Sequence, residues 1–397
     1  MINQHLPPNT MRMTAFNALC FGLLILLGYY FLYPATGAAL LGPVPKEAAI
    51  AIVVVVLLVR FSFSQTTSSI LTRRVLVLGV GKDAAMVNEA LEHSHVHGLS
   101  VVGFYAGDTG QPRDSALPAN RILPASKSIC EIARQHDVSE IVLAMRDRRG
   151  GSLPLTDLID CKLHGVKVTD LSSFYEQYQD KVRIDLLTEG WFIFGNGFRQ
   201  HVSRMFVKRA FDIVSSSILL ILGLPVMLLA AIAIRLDSPG PILYRQERVG
   251  LGGKTFELLK FRSMRIDAEI DGKPQWAQAG DNRVTRVGRF MRLTRIDELP
   301  QLITVLTGQM SLVGPRPERP YFVDQLVKQI PFYGARHSVK PGVTGWAQVR
   351  HHYGASVGDS SDKLQYDLYY VKNHTLLLDL LVLLYSVRVV LLAEGSR

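Results

Sequence analysis

The residues best suited to chemistry stand side by side. Asp297 and Glu298 lie in Arg295-Ile296-Asp297-Glu298-Leu299-Pro300-Gln301-Leu302. Adjacent carboxylates among arginines have two readings: plain ion pairing, or a nucleophile beside a magnesium ligand. A carboxylate attacks a phosphoryl group only when charge repulsion is relieved by a metal ion and by Arg or Lys clamps. A suitable clamp stands downstream, where Arg316 sits between two prolines in Val313-Gly314-Pro315-Arg316-Pro317-Glu318. The prolines hold the backbone extended and aim one guanidinium at a fixed target, and its planar donors match phosphate oxygens. Upstream, Arg286, Arg289, Arg292 and Arg295 recur at every third position. On a helix that spacing winds around half the cylinder, so some can face lipid headgroups while others face a substrate. A solvated basic face is the plain alternative for each.

Other motifs promise less. Gly253-Lys254-Thr255 imitates the end of a phosphate loop, but Arg248 stands where the first glycine is needed. A strand, not a helix, is also expected to follow. Gly79-x-Gly81-x-x-Ala84 has the spacing of a dinucleotide-binding turn, in which glycines let the backbone approach a pyrophosphate. The acidic residue expected after the next strand is missing, since Phe104-Tyr105-Ala106-Gly107 stands there and Asp108 comes late. NAD is therefore not an expected cofactor. His93, His95 and His97 alternate without Cys or Asp nearby and read as a solvated loop. Cys20, Cys130 and Cys161 are widely separated, with no metal-ligand spacing, which suits a reducing compartment.

These residues need a frame. Pro239-Gly240-Pro241 marks a turn, strands are expected at 242–249 and 255–261 around a glycine-rich hairpin, and one helix is expected over 287–306. Farther forward, strands at 75–80, 99–104, 140–144 and 166–168 alternate with helices at 82–92 and 126–136, which predicts a doubly wound sheet. The chain has 397 residues, 48% hydrophobic, with a net charge of +10. That charge suits anionic membranes, phosphorylated ligands or nucleic acid. Long apolar runs favour the first two, so nucleic acid is not an expected partner.

Runs 16–32 and 48–59 predict a membrane hairpin, longer than a signal-peptide core, with both flanks cytoplasmic by their arginines. Run 211–236 is long enough to span but carries Gly223 and Pro225 at its centre. Proline removes a donor and clashes with the preceding turn, predicting a kink or break. Lys208 and Arg209 before this run and Arg235 within its last turn suit a helix that dips into one leaflet and returns; a kinked spanning helix is the alternative. Run 376–392 contains Asp379, costly in mid-bilayer, and is expected to recline at the interface. The expected divisions are a membrane hairpin (1–65), a Rossmann-like domain (70–200) and a C-terminal domain (205–397).

Several blocks in one order carry a resemblance. They are Lys208-Arg209-Ala210-Phe211-Asp212, Ser238-Pro239-Gly240-Pro241, Arg245-Gln246-Glu247-Arg248-Val249-Gly250, Lys260-Phe261-Arg262-Ser263-Met264, Asp297-Glu298-Leu299-Pro300-Gln301, Val313-Gly314-Pro315-Arg316-Pro317-Glu318 and Lys340-Pro341-Gly342-x-Thr344-Gly345-Trp346. Together they resemble the bacterial sugar transferase family, the monotopic polyprenyl-phosphate glycosyl-1-phosphate transferases. The front half resembles the family's larger members. The segments around Trp276-Ala277-Gln278 and His337-Ser338-Val339-Lys340 resemble the subgroup tied to exopolysaccharide clusters of the PEP-CTERM/exosortase type.

The resemblance implies a membrane-associated α/β protein. N-terminal transmembrane helices would precede a Rossmann-like doubly wound domain and a mixed α/β catalytic domain, anchored on the cytoplasmic face of the inner membrane by a re-entrant helix broken at Pro225. It implies that Asp297 attacks the sugar-linked phosphate of a UDP-sugar, glucose or galactose, and expels UMP. Glu298 would help hold Mg²⁺, with Mn²⁺ as a substitute. Arg292 and Arg316 would clamp phosphate oxygens, supported by Lys260 and Arg262. The phospho-sugar would then pass to polyprenyl phosphate; a homo-oligomer is compatible with this. Two features depart from the pattern: Leu224 replaces the usual Ser before the proline, and the N-terminal spans are fewer. A membrane-anchored nucleotide-sugar oxidoreductase would need a Tyr-x-x-x-Lys pair in the front domain, and none is evident. A non-enzymatic scaffold would leave the carboxylates and Arg316 without purpose.

Overall fold

The structure is a computed structural model that describes residues 73–391 apart from 94–98, 107–113, 115, 125–127, 146–152, 188, 195–196, 199–200, 267, 269–280, 282 and 352–355. The expected N-terminal hairpin, His95, His97, Asp108 and Trp276-Ala277-Gln278 lie outside the described residues. Contacts divide the chain into two compact units, Met1–Val168 and Thr169–Arg397.

The first unit is built on a sheet of β1 (Arg73–Leu78), β2 (Leu99–Tyr105), β3 (Ile122–Leu123), β4 (Glu140–Leu143) and the start of β5 (Lys167–Asp170), the strand in which the division falls. The strand order is β3-β2-β1-β4-β5, and β1 runs parallel to both β2 and β4. Val75, Leu76, Val77 and Leu78 are wholly buried, which a continuous apolar run achieves only in a strand covered on both faces. Helices α1 (Lys82–His93), α2 (Ile129–Gln135) and α3 (Leu155–Leu163) connect the strands. The two-residue β3 was not anticipated. Gly79 has φ +127°, and a side chain there would meet the Ala144 carbonyl oxygen at 2.6 Å. That glycine therefore answers to packing beside β4. The fold also joins what the sequence separates: Cys130 on α2 and Cys161 on α3 are free, buried thiols in contact at 2.7 Å. Burial, then the contact with Cys161, pushes the Cys130 thiol up to about 12.

By contacts the second unit takes in residues from Thr169 onward. Helix α4 (Leu171–Gln179) and the segment after it are fastened to α10 (Trp346–Arg350) and α11 (Val357–Asn373). Lys372 Nζ and Asn373 Nδ2 donate to Glu176 at 2.6 and 2.9 Å, and Trp346 Nε1 donates to the Asp180 carbonyl at 2.9 Å. A short α5 (Glu189–Phe194) follows, then α6 (Val202–Asp237), β6 (Leu243–Val249) and β7 (Thr255–Phe261). β6 and β7 pair antiparallel from Leu243↔Phe261 to Val249↔Thr255, as the hairpin signal implied. Then come α7 (Arg286–Thr294), α8 (Gln301–Leu306), β8 (Ser311–Val313), α9 (Pro320–Gln329), β9 (Gly342–Thr344), α10, α11 and α12 (Leu376–Leu391).

Among the described residues, α6 is the one helix long and apolar enough to cross a membrane. It runs unbroken through Pro225, so the expected break is corrected to a continuous helix lacking one N–H donor. Both of its ends are tied to the same unit. Near the start, Arg209 donates to the Val305 and Leu306 carbonyls at 2.6 and 2.7 Å, satisfying the open C-terminus of α8. Near the finish, Ala230 and Ile234 pack with Phe261 and Met291. The remaining surface is apolar and bare, with Phe206, Ile221, Leu222, Leu229 and Leu236 all exposed. In α12, Asp379 is buried and receives Lys208 Nζ at 2.7 Å and the Tyr370 hydroxyl at 2.6 Å. Its face of the helix, with Val382 and Ser386, packs inward, which resolves the cost of an acid in an apolar run.

Candidate active site

The single helix expected over 287–306 is interrupted where the chemistry lies. Thr285 caps α7, its hydroxyl accepting from the Gly288 N–H at 2.9 Å. The helix ends at Arg295, a non-glycine residue in left-handed conformation (φ 59°). One tight turn, Ile296–Glu298, then carries the two acids, and Pro300, which has no N–H, precedes α8. The interruption turns Asp297 and Glu298 inward, and both are buried.

Cations converge on this turn. Glu298 Oε1 accepts from Arg316 Nη2 at 2.7 Å, with Arg295 Nη1 at 3.7 Å and Lys260 Nζ at 3.8 Å. Burial alone would raise its pKa, but Arg316 and Lys260 outweigh that and hold Glu298 down at about 2. Asp297 moves the other way: burial and the neighbouring Glu298 raise it, against Lys260, Arg292 and Arg316. Its Oδ1 is buried without a hydrogen-bond partner. Lys260 shares the inward parity of Phe256 and Leu258 on β7, and burial lowers it to about 8.

Arg316 is held by its own backbone. The carbonyls of Pro315, Arg316, Pro317 and Glu318 accept, in turn, from Gly342 N at 3.0 Å, Arg336 Nη2 at 2.9 Å, Arg248 Nη1 at 2.9 Å and Val249 N at 2.9 Å. Behind the segment, Gly314 lies so close to β9 that a side chain would meet the Lys340 carbonyl oxygen at 2.4 Å. Arg336 is itself buried in an ion pair with Asp367 at 2.7 Å.

Not every expected residue joins the cluster. Arg292 lies at the turn but gives its Nε to Ser263 Oγ at 2.9 Å, while Arg286 and Arg289 are exposed. Arg262, expected as a support for the phosphate clamps, ties down the backbone in this structure. Its two terminal nitrogens donate to the Pro239 and Ser238 carbonyls, each at 2.7 Å, closing the turn after α6. Arg248 and Arg336 were not singled out. Arg248 lies in Arg245-Gln246-Glu247-Arg248-Val249-Gly250, whereas nothing local marks Arg336.

Arg248, Leu258, Lys260, Gln301, Arg316 and Pro317 line a small pocket beside the acids. Such a wall of donors suits an anion with several oxygens. Among the described residues no group of three or more His, Cys, Asp or Glu forms a metal site alone. Mg²⁺, however, is commonly held by one or two carboxylates together with a ligand's phosphates, and Glu298, with a second carboxylate next to it, fits that donor set.

Comparisons with known proteins match the part of the chain that carries these residues. The family described as bacterial sugar transferase matches residues 203–393. A UDP-N-acetylgalactosamine-undecaprenyl-phosphate N-acetylgalactosaminephosphotransferase of Aeromonas hydrophila is 44% identical over 240 residues, 60% of this chain and 56% of that protein. A UDP-glucose:undecaprenyl-phosphate glucose-1-phosphate transferase of Caulobacter vibrioides is 45% identical over 191 residues, 48% of this chain and 71% of the other. The Xanthomonas campestris protein of the same name is 32% identical over 338 residues, 81% of this chain and 68% of that protein. The chain thus spans little more than half of the Aeromonas protein, but over two thirds of the other two. With its blocks in order and its acids clasped by Arg316 and Lys260, the chain belongs to the bacterial sugar transferase family.

Proposed function

We propose that the protein moves a sugar 1-phosphate from a UDP-sugar to undecaprenyl phosphate, releasing UMP, as the first step of exopolysaccharide synthesis. The observation that carries this reading is Asp297: a buried carboxylate with an unpartnered oxygen, set among Lys260, Arg292 and Arg316. Asp297 attacks the sugar-linked phosphorus, and the bond to the bridging oxygen breaks, UMP leaving with the electron pair. A phosphate oxygen of the lipid then attacks the same phosphorus and restores the free carboxylate. Arg316 and Lys260 offset the charge that gathers on the phosphoryl oxygens. Glu298, with Asp297 beside it, would hold Mg²⁺ (or Mn²⁺), whose charge would offset that of the diphosphate.

The membrane seat follows from α6. At about 1.5 Å per residue its 36 residues extend roughly 54 Å, yet both ends pack on one polar unit. A helix crossing the bilayer would separate its ends by the apolar core. A helix bedded in one leaflet keeps both on one side, and this supports monotopic seating; the cytoplasmic face of the inner membrane is the side where a soluble UDP-sugar is supplied. The Rossmann-like reading of the first unit is supported by its strand order.

The test is UMP release by the full-length protein given undecaprenyl phosphate, Mg²⁺ and a panel of UDP-sugars. UDP-glucose and UDP-N-acetylgalactosamine come first, because relatives are named for them, and UDP-galactose next. Asp297→Asn is expected to abolish turnover while membrane association survives. Turnover retained in that variant would refute the covalent step, and silence of the wild type toward every donor would refute the reading.

A further inference from the structure

Gln301 has no part in the chemistry above, yet it is oddly placed. It opens α8, three positions after Glu298, and is 2% exposed. Its Nε2 is shielded and has no hydrogen-bond partner. An amide donor left unpaired in a dry site costs on the order of 1–3 kcal/mol, a penalty that Leu or Met would avoid. The side chain lines the pocket together with Arg248, Lys260 and Arg316. Every polar side chain of that lining can donate; of the acceptors nearby, Glu298 Oε1 takes Arg316 and the Pro317 carbonyl takes Arg248, while Asp297 Oδ1 stays without a partner and Gln301 does not reach it. What the pocket wants is an acceptor, and a diphosphate brings several.

We propose that Gln301 is a further substrate-contacting residue, its Nε2 donating to a phosphate oxygen of a nucleoside diphosphate alongside Arg248, Lys260 and Arg316. The inference rests on the UDP-sugar reading and narrows it, placing the donor's diphosphate on the Lys260 side of the two acids. A neutral amide suits that role. It adds a directional contact without adding a further positive charge to a crowded group of cations.

The test compares wild type, Gln301→Met and Gln301→Glu, each as the full chain in lipid nanodiscs. UDP binding is measured by calorimetry, and ligand-free melting by fluorescence. Methionine keeps the length and removes the donor, so UDP binding should weaken roughly ten- to a hundredfold with little change in melting. Glutamate puts a carboxylate among three cations: melting without ligand should rise, while UDP binding weakens more than in the Met variant. A residue that merely packs would not produce those opposite movements. The proposal is overturned if both variants bind UDP within twofold of wild type. It is equally overturned if Gln301→Glu fails to fold, because that pocket should welcome a carboxylate. If Gln301→Met alone fails to fold, the Glu variant decides. Failure of the wild type to bind UDP, or to release UMP from any UDP-sugar, would instead bring down the donor reading itself.

Discussion

Burial pushes Lys260 and Asp297 toward their neutral forms, from opposite directions. Lys260 falls to about 8 through burial, opposed by Glu298, and Asp297 rises through burial and Glu298, opposed by the cations. The proposed chemistry needs both charged. The rate should therefore climb as pH rises through the pKa of Asp297, which lies above its ordinary value, and decline above about pH 8 as Lys260 loses its proton. Glu298, held near 2, stays ionised throughout and adds no limb at working pH. The check is kcat/KM for UMP release against pH, in wild type and Lys260→Arg. Arginine keeps its charge, so the alkaline limb should move upward; an unmoved limb would assign it to another group.

At the scale of elements, the site depends on loops pressed together where only glycine fits. Gly314 lies against the Lys340 carbonyl, directly before the Pro315-Arg316-Pro317 segment. Gly314→Ala should destabilise the protein by about 1–3 kcal/mol and lower kcat through displacement of Arg316. Thermal melting and steady-state kinetics on the same preparation would show it; unchanged values in both would mean the loops have slack. This scale also explains what the sequence could reveal. Asp297-Glu298 and the proline-flanked Arg316 were legible because their types and spacing are local. The turn at Arg295 was not, since an arginine in left-handed conformation leaves no compositional mark; only Pro300 hinted at it. The carbonyl contacts of Arg262 were not legible, because guanidiniums that bind carbonyls and phosphates look alike in a sequence. Lys208 with Asp379, and Arg336 with Asp367, meet across long stretches of chain, and no local pattern announces such pairs.

For the whole molecule, the alternation of strands and helices reappears as the parallel sheet of the first unit, while contacts group residues 169–200 with the second. Residues just after 169 are tied there by Glu176 and Asp180 bonding to α11 and α10, pairings that no local pattern announces. The tethering of α6 has a consequence of its own. A lone helix relieves a mismatch with its bilayer by tilting independently. Here Arg209 at one end and Ile234 at the other fasten the helix to the catalytic unit, so any tilt carries Asp297 with it. On the seat proposed above, acyl-chain length should act as a dial on catalysis. Across liposomes of graded thickness, turnover should pass through an optimum while the KM for the soluble donor stays constant, and a level response would mean the helix floats free of its load.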